Sequence, residues 1–293
     1  MRQRAHRHAD GVATLISDAV NEQANQASAL QQRWSAPPRF KDKIIIITAA
    51  AAGIGAATAR RMASEGGRII GVDTDATSLA ALIAELPGKA GRHAPMVVNC
   101  LDEAAVMQCV RQTVEFSGGR IDVLVNGVGG STLKALPAGG TDRMALEDWN
   151  ALLNFNLTPT FLFCKHVMPV MMAQRAGKIV NLSSIAGRGE DASVGNAAYS
   201  TAKAGVSVFT KRLSREMAAY GVNCNAVAPG ATQTPRILRY YDSQTPEVRA
   251  QAMEKTPLGR MATAEDQANA IAFLASNDAD FITGVVLDVT GGH

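Results

Sequence analysis

The chain has 293 residues, 47% hydrophobic and 19% charged, with a formal net charge of +3. This composition suits a folded globular protein of one large α/β domain or two small ones. The balance excludes the clustered basic face of a nucleic-acid binder, and no apolar run reaches the roughly 18–20 residues of a membrane span.

Residues 1–40 stand apart. They carry five Arg against three Asp/Glu, which is +2 of the net charge, and end in "WSAPPRF". Gly11 to Trp34 could form a polar helix that Pro37–Pro38 would end. The segment reads as a flexible or loosely helical arm. It lacks the apolar core of a secretory signal, and Asp10, Asp18 and Glu22 argue against a transit peptide. From Lys41 the pattern changes. "KIIIITA" is a wholly apolar β-branched run, the signature of a parallel strand buried on both faces. A helix is predicted from Gly55 to Ser64, then the strand "RIIGVD", the helix "ATSLAALIAEL", the strand "PMVVN" and the helix "DEAAVMQCVRQTVEF". "IDVLVN" is a fourth strand. A long helix from Leu146 to Arg175 precedes the strand "KIVNLSS", and a second long helix, residues 196–220, precedes "VNCNAVAP". Residues 235–257 are polar and Tyr-containing, like a lid, which as a whole spans about 231–259. A helix from Ala264 to Ser276 and the strand "GVVLDV" close the chain. Strand and helix alternate throughout. The predicted fold is therefore α/β: one Rossmann-type, doubly wound parallel sheet of about seven strands over residues 41–293, with helices on both faces.

The four cysteines, Cys100, Cys109, Cys164 and Cys224, form no CxxC pair and no zinc spacing; they read as reduced thiols in a cytoplasmic protein without a metal. His166 is expected on a helix surface or at a subunit contact, and His93 in a loop.

Chemistry gathers at three places. "TAAAAGIGAA", residues 48–57, follows the first strand and opens a helix. Unpaired N–H groups there could cradle a pyrophosphate, with Gly53 and Gly55 allowing close approach. Taken alone, the string is equally the start of an alanine-rich helix. Asp73 ends the second strand, 18 residues after Gly55. It could accept the hydroxyls of an adenosine ribose and repel a 2′-phosphate, favouring NAD over NADP; alone, it is equally a turn aspartate. Tyr199 and Lys203 lie four apart at the start of a long helix and share a face. An ammonium there would lower the phenol's pKa and fit it for proton exchange with an alcohol or carbonyl, and Ser184 could hydrogen-bond the same oxygen. An isolated YxxxK is otherwise a surface pair.

The motifs together, over roughly residues 41–293, resemble the short-chain dehydrogenase/reductase family. "TAAAAGIG" stands for TGxxxGxG, "VNGVGG" for the NNAG stretch, "NFNLT" for the helix asparagine, then "LSS", "YSTAK", "APGATQTP" and the closing "TGVVLDVTGG". The resemblance implies that Tyr199 is the acid/base, that Lys203 also holds the nicotinamide ribose, that Ser184 positions the substrate oxygen and that Asn156 anchors a relay water. It places Thr48, Ala49, Ala52, Gly53, Ile54, Gly55 and Asp73 around the pyrophosphate and adenosine ribose. Asn99 and Cys100 would flank the adenine, and Asn126 and Gly127 would support the central strand and the cofactor. Pro229, Gly230, Thr232 and Thr234 would hold the nicotinamide end. Ala49 departs from the family glycine and would be strained if its φ is positive. Ala52 lacks a polar side chain, Gly127 replaces an asparagine and Asn99 an aspartate. The Ser184–Tyr199 interval is two residues longer than usual, which would bulge "RGEDASVG".

The implied activity is NAD-dependent interconversion of a secondary alcohol, including cyclic or diol alcohols, with a ketone. The alternatives are a 3-oxoacyl-thioester reductase and, from another class, a cofactor-binding scaffold without catalysis. Arg236, Arg239, Tyr240, Tyr241 and Arg249 in the lid raise an acidic or aromatic-acid substrate as an expectation, against the alternative of a solvated lid face. The family's two long helices pair subunits, so a homotetramer or homodimer is expected.

Overall fold

A computed structural model describes residues 38–131, 140–189, 195–245 and 254–293. Expectations for the N-terminal arm, for Arg249 and for the middle of the "RGEDASVG" loop lie outside the described residues. The compact unit that carries the motifs runs from Phe40 to His293.

Its first strand, β1 (Ile44–Thr48), is buried along its whole length. Successive side chains of a strand face opposite ways. Ile45 and Ile47 therefore enter one core, with Met62 and Ile271, while Ile44 and Ile46 enter the other, with Phe163, Val167 and Leu213. The chain continues through α1 (Gly53–Ser64), β2 (Arg68–Asp73), α2 (Ala76–Glu85), β3 (Ala94–Val97), α3 (Glu103–Ser117) and β4 (Val123–Asn126). Then come α4 (Leu146–Gln174), β5 (Gly177–Leu182), α5 (Ala197–Met217) and β6 (Val222–Pro229). The described strands form a seven-stranded sheet in the order β3-β2-β1-β4-β5-β6-β9, with β9 at Val286–Val289, and every pairing is parallel. The doubly wound prediction holds, and the sequence order reverses between β1 and β4, the place where such sheets open a ligand crevice.

Two differences from the sequence reading bear on the site. α1 begins at Gly53 rather than Gly55, because the turn after β1 is tight enough to start the helix two residues sooner. The lid is not irregular throughout. It contains α6 (Pro235–Asp242), capped by Thr234, whose Oγ1 accepts the Ile237 N–H at 3.3 Å, with proline at the first helical position. A short pair, β7 (Thr232–Gln233) with β8 (Ala262–Thr263), ties the two ends of the lid together before α7 (Ala264–Ala275).

All four cysteines are free and buried. Burial raises the Cys100, Cys109 and Cys224 thiols to about 12 and raises Cys164 as well. His93 does lie in a loop, but it is buried there: its Nδ1 accepts the Ile69 N–H at 3.0 Å, which leaves Nε2 to donate to the Pro87 carbonyl at 2.9 Å. His166 sits on α4 against Glu103, 3.1 Å away. No helix among the described residues is long and apolar enough to cross a membrane, and none of their His, Cys, Asp and Glu side chains cluster as a metal site.

Candidate active site

The glycine turn joins β1 to α1. Ala52 occupies the N-cap of α1 with φ −152°, no side chain caps the helix, and its first turn carries no acid. The leading N–H groups are therefore left to an outside acceptor, at the positive end of the helix. Crowding dictates the glycines. A Cβ at Gly55 would lie 2.1 Å from the Ala49 carbonyl oxygen, and one at Gly53, where φ is +55°, would lie 3.1 Å from Thr234 Cγ2 of the lid. Ala49 itself has φ +54°. The position does require the left-handed conformation, and the alanine adopts it under strain.

Asp73 ends β2 beside this turn. Its Oδ2 accepts the Ala51 N–H at 3.0 Å, and Oδ1 accepts the N–H groups of Thr74 at 2.7 Å and Asp75 at 3.1 Å. An ionised carboxylate has about four acceptor positions, so capacity remains for a ribose hydroxyl. The carboxylate thus holds the turn at the end of β2. An uncapped helix start, a turn that excludes side chains and an acid at the second strand end fit a nicotinamide dinucleotide.

Several expected cofactor residues support this crevice from behind. The Thr48 hydroxyl accepts the Gly127 N–H at 2.9 Å and is buried between the strand ends. Asn126 donates to Asn181 Oδ1 at 2.8 Å and is buried between β4 and β5, leaving its own Oδ1 unpartnered. Thr232 is held by Gln267 at 3.2 Å. The Cys100 thiol points into the core, so any adenine contact there falls to its main chain. Asn99 is exposed, with its side-chain oxygen accepting the Leu101 N–H at 3.1 Å. Pro229 ends β6, and the Gly230 N–H donates to Val289 at 3.1 Å.

The proton-handling residues meet at the carboxyl ends of β4 and β5. Asn196 caps α5 by accepting the Tyr199 N–H at 2.9 Å, which sets the tyrosine in the first turn. Ser183, just past β5, donates to the Lys203 carbonyl at 2.8 Å and so fastens α5 to the sheet. Ser184 follows, its Oγ accepting the Ala186 N–H at 3.2 Å. Lys203 is buried, with Nζ donating to the Leu182 carbonyl at 2.8 Å and lying 5.9 Å from the Tyr199 ring centre. The Asn156 amide accepts the Gly130 N–H at 2.8 Å and donates to the Gly130 carbonyl at 3.0 Å and to the Leu152 carbonyl. Asn156 Oδ1 and Lys203 Nζ both come within 2.7 Å of where a Gly129 Cβ would be. Gly129 and Gly130 thus floor the site, a role the sequence reading did not assign to them although it quoted both in "VNGVGG".

Electrostatics overturns one expectation. Lys203 was expected to lower the Tyr199 phenol. Burial instead raises that phenol above its ordinary value, and the Ser184 side chain and the Arg236 guanidinium pull it back in part. The lysine is itself desolvated: burial, helped by the charge of Arg236, brings it from 10.5 down to about 7. At neutral pH the tyrosine is a protonated phenol, and the lysine releases its proton far more readily than an exposed one. Arg236 enters from α6, its Nη1 donating to the Gly129 carbonyl at 3.2 Å.

Comparison with known proteins agrees with this geometry. The family model described as enoyl-(acyl carrier protein) reductase matches residues 49–293. The chain is 39% identical over 255 residues to the 3-oxoacyl-(acyl-carrier-protein) reductase FabG of Thermotoga maritima, covering 87% of this chain and 98% of that protein. A 3-oxoacyl-(acyl-carrier protein) reductase with bound NAD from Brucella melitensis superposes with TM-score 0.77 at 30% identity, covering 87% of this chain and 92% of that one. An oxidoreductase of the short-chain dehydrogenase/reductase family from Burkholderia thailandensis gives TM-score 0.75 at 35% identity, with 85% and 92% covered. With a glycine turn opening the first helix, an acid at the end of the second strand and a tyrosine–lysine–serine cluster on one doubly wound sheet, this chain belongs to the short-chain dehydrogenase/reductase family and is an NAD(P)-dependent oxidoreductase of alcohols and ketones.

Proposed function

We propose that the chain is an NADH-linked reductase of 3-oxoacyl-type ketones, working in reverse as a dehydrogenase of the secondary alcohol. The observation that carries this reading is the grouping of Tyr199, Ser184 and Lys203 at the carboxyl ends of the central strands, on the same sheet edge as Asp73. A protonated phenol with a hydroxyl beside it can donate to a carbonyl oxygen, which suits carbonyl reduction. The 3-oxoacyl activity of the Thermotoga maritima relative supports the substrate class, and the NAD in the Brucella melitensis structure supports the cofactor.

Ser184 would donate a hydrogen bond to the substrate carbonyl and hold it against Tyr199. The tyrosine would give its proton to that oxygen as charge develops there. Lys203, its pKa lowered by burial, would resupply the proton, and Asn156 would keep the Gly129–Gly130 floor in place beneath the reacting groups. The nicotinamide, when bound, supplies the hydride. The open N–H groups of Gly53, Ile54 and Gly55 would take the pyrophosphate, and Asp73 the adenosine ribose. Exposed Phe161 on α4 and Val208 on α5 support a homo-oligomer joined through these helices.

The test is reduction of acetoacetyl-CoA by the purified protein, followed through nicotinamide absorbance with NADH and with NADPH. The expected result is a clear NADH preference, with Tyr199→Phe roughly 100- to 10,000-fold slower while NADH affinity is kept. A preference for NADPH overturns the role of Asp73. Undiminished rates in Tyr199→Phe overturn the proton donor. NADH binding with no turnover of any ketone returns the scaffold reading.

A further inference from the structure

Arg236 stands in an unusual position. Its guanidinium occupies the space a side chain would fill at Gly130: Nη1 lies 1.8 Å and Cζ 2.5 Å from where a Cβ would be. Gly130 is not among the residues with positive φ. Its lack of a side chain answers the needs of the arginine, not of the backbone. Below the same glycine pair lie Lys203 Nζ and Asn156 Oδ1. The floor of the site is therefore a two-glycine strip with a catalytic ammonium on one side and a guanidinium on the other.

Arg236 has a single hydrogen-bond partner among the described residues, the Gly129 carbonyl. A guanidinium carries five N–H donors, and the exposed Arg236 spends one of them on this carbonyl, which leaves most of them for a ligand. Among the described residues no carboxylate pairs with Arg236 or with Lys203, and the nearest charge effect on each buried titrating group is that of Arg236 itself. Two cations with no anion, over a site that must desolvate its substrate, call for a negative group on the ligand. The cofactor's pyrophosphate belongs elsewhere: the lid residue that meets the glycine turn is Thr234, 3.1 Å from the position of a Gly53 Cβ. Arg236 lies past it, at the proton-transfer end.

We propose that Arg236 is a specificity-determining residue that binds a carboxylate on the substrate close to the reacting carbonyl, and that Gly130 lacks a side chain so that this guanidinium can be seated. The proposal rests on the reductase reading for the chemistry and, within it, puts substrates with a free carboxylate near the ketone ahead of thioesters that lack one. It requires no new chemical step, since the carboxylate is held and does not react.

The experiment compares acetoacetate with methyl acetoacetate in steady-state reduction by NADH, for the wild type and for Arg236→Ala, Arg236→Lys and Gly130→Ala. The acid-over-ester ratio of kcat/KM should fall roughly 10- to 100-fold in Arg236→Ala, as for loss of a charge-assisted pair. It should recover in part in Arg236→Lys, and fall in Gly130→Ala, where the arginine remains but its seat is filled. Arg236 also acts on the Tyr199 proton, but that influence changes both substrates alike and cancels in the ratio. NADH affinity, from fluorescence, should be unchanged. In parallel, calorimetry measures 3-hydroxybutyrate and its methyl ester binding to the enzyme–NADH complex, which needs no turnover. Acid-selective binding lost in Arg236→Ala, with no ketone reduced by any form, upholds the carboxylate site and overturns the reductase reading. Equal losses on acid and ester, weakened NADH binding in step with lost activity, or no binding of 3-hydroxybutyrate to the wild type overturns the carboxylate site.

Discussion

Ala49→Gly should make this protein more stable. Ala49 holds φ +54°, a conformation that places Cβ against the following carbonyl. Its carbonyl oxygen is turned toward Gly55, and its N-terminal neighbour Thr48 is pinned by the Gly127 N–H. The loop therefore cannot relax into an extended conformation without giving up the turn. The strain is about 1–2 kcal/mol. Glycine lifts it but brings back unfolded-state freedom worth about 0.4–1 kcal/mol. The methyl contributes little packing in compensation: it lies 3.8 Å from where a Gly127 Cβ would be, so it faces a glycine. The net gain is about 1 kcal/mol, or roughly 2–4 °C in Tm for a domain of this size. Thermal and urea unfolding of both forms would measure it. NADH titration separates two mechanisms. Strain present in both free and bound protein cancels from the affinity, so a higher Tm with unchanged Kd means strain alone; a higher Tm with tighter binding means the methyl also crowds the cofactor. A Tm equal to or below that of the wild type would refute the assignment of strain to this residue.

Asp73→Asn should narrow the NADH-over-NADPH affinity ratio at least tenfold by removing charge beside the 2′ position, and should lose about 1–2 kcal/mol because its amide cannot accept all three N–H groups held now; an unchanged ratio would show that Asp73 only braces the turn. Lys203→Met should change how stability depends on pH. The folded-state value of Lys203 is about 7 against an ordinary 10.5, so between those pH values the unfolded chain binds the extra proton and stability rises with pH. Below about 7 both states are protonated and the slope vanishes. The wild type should gain up to roughly 5 kcal/mol relative to the variant across that window, and parallel urea midpoints at its two ends would contradict a desolvated lysine.

The sheet was legible because a parallel strand covered on both faces needs an unbroken apolar run, and "KIIIIT" or "IDVLVN" has no other stable place in a soluble fold. The active-site set was legible from spacing, since Tyr199 and Lys203 share a helical face wherever that helix lies. What the sequence hid depends on register and burial. Thr48, Asn126 and Thr232 turn inward because strand alternation at the sheet's carboxyl edge decides which end residues meet the crevice, and no one-dimensional pattern marks that parity. The sign of the Tyr199 shift depends on how far the ring is desolvated, which outweighs its neighbours. Helix α6 was missed because exposed Arg and Tyr residues mask its period, although "TP" at its start was a capping signal. Gly130 reads in sequence as one more turn glycine; only the arginine above it shows what its missing side chain is for.

The four buried thiols make this protein its own reporter. A thiol attacks a disulfide reagent as thiolate and only when reached, and all four cysteines here fail both conditions in the folded state. Each opens to reagent only when its surroundings open. Cys100 lies just past β3 at the sheet's outer end, Cys109 lies on α3, Cys164 lies on α4 and Cys224 lies within β6. Their labelling rates, read one by one by mass spectrometry, would map the order in which the sheet comes apart without introducing a single foreign residue.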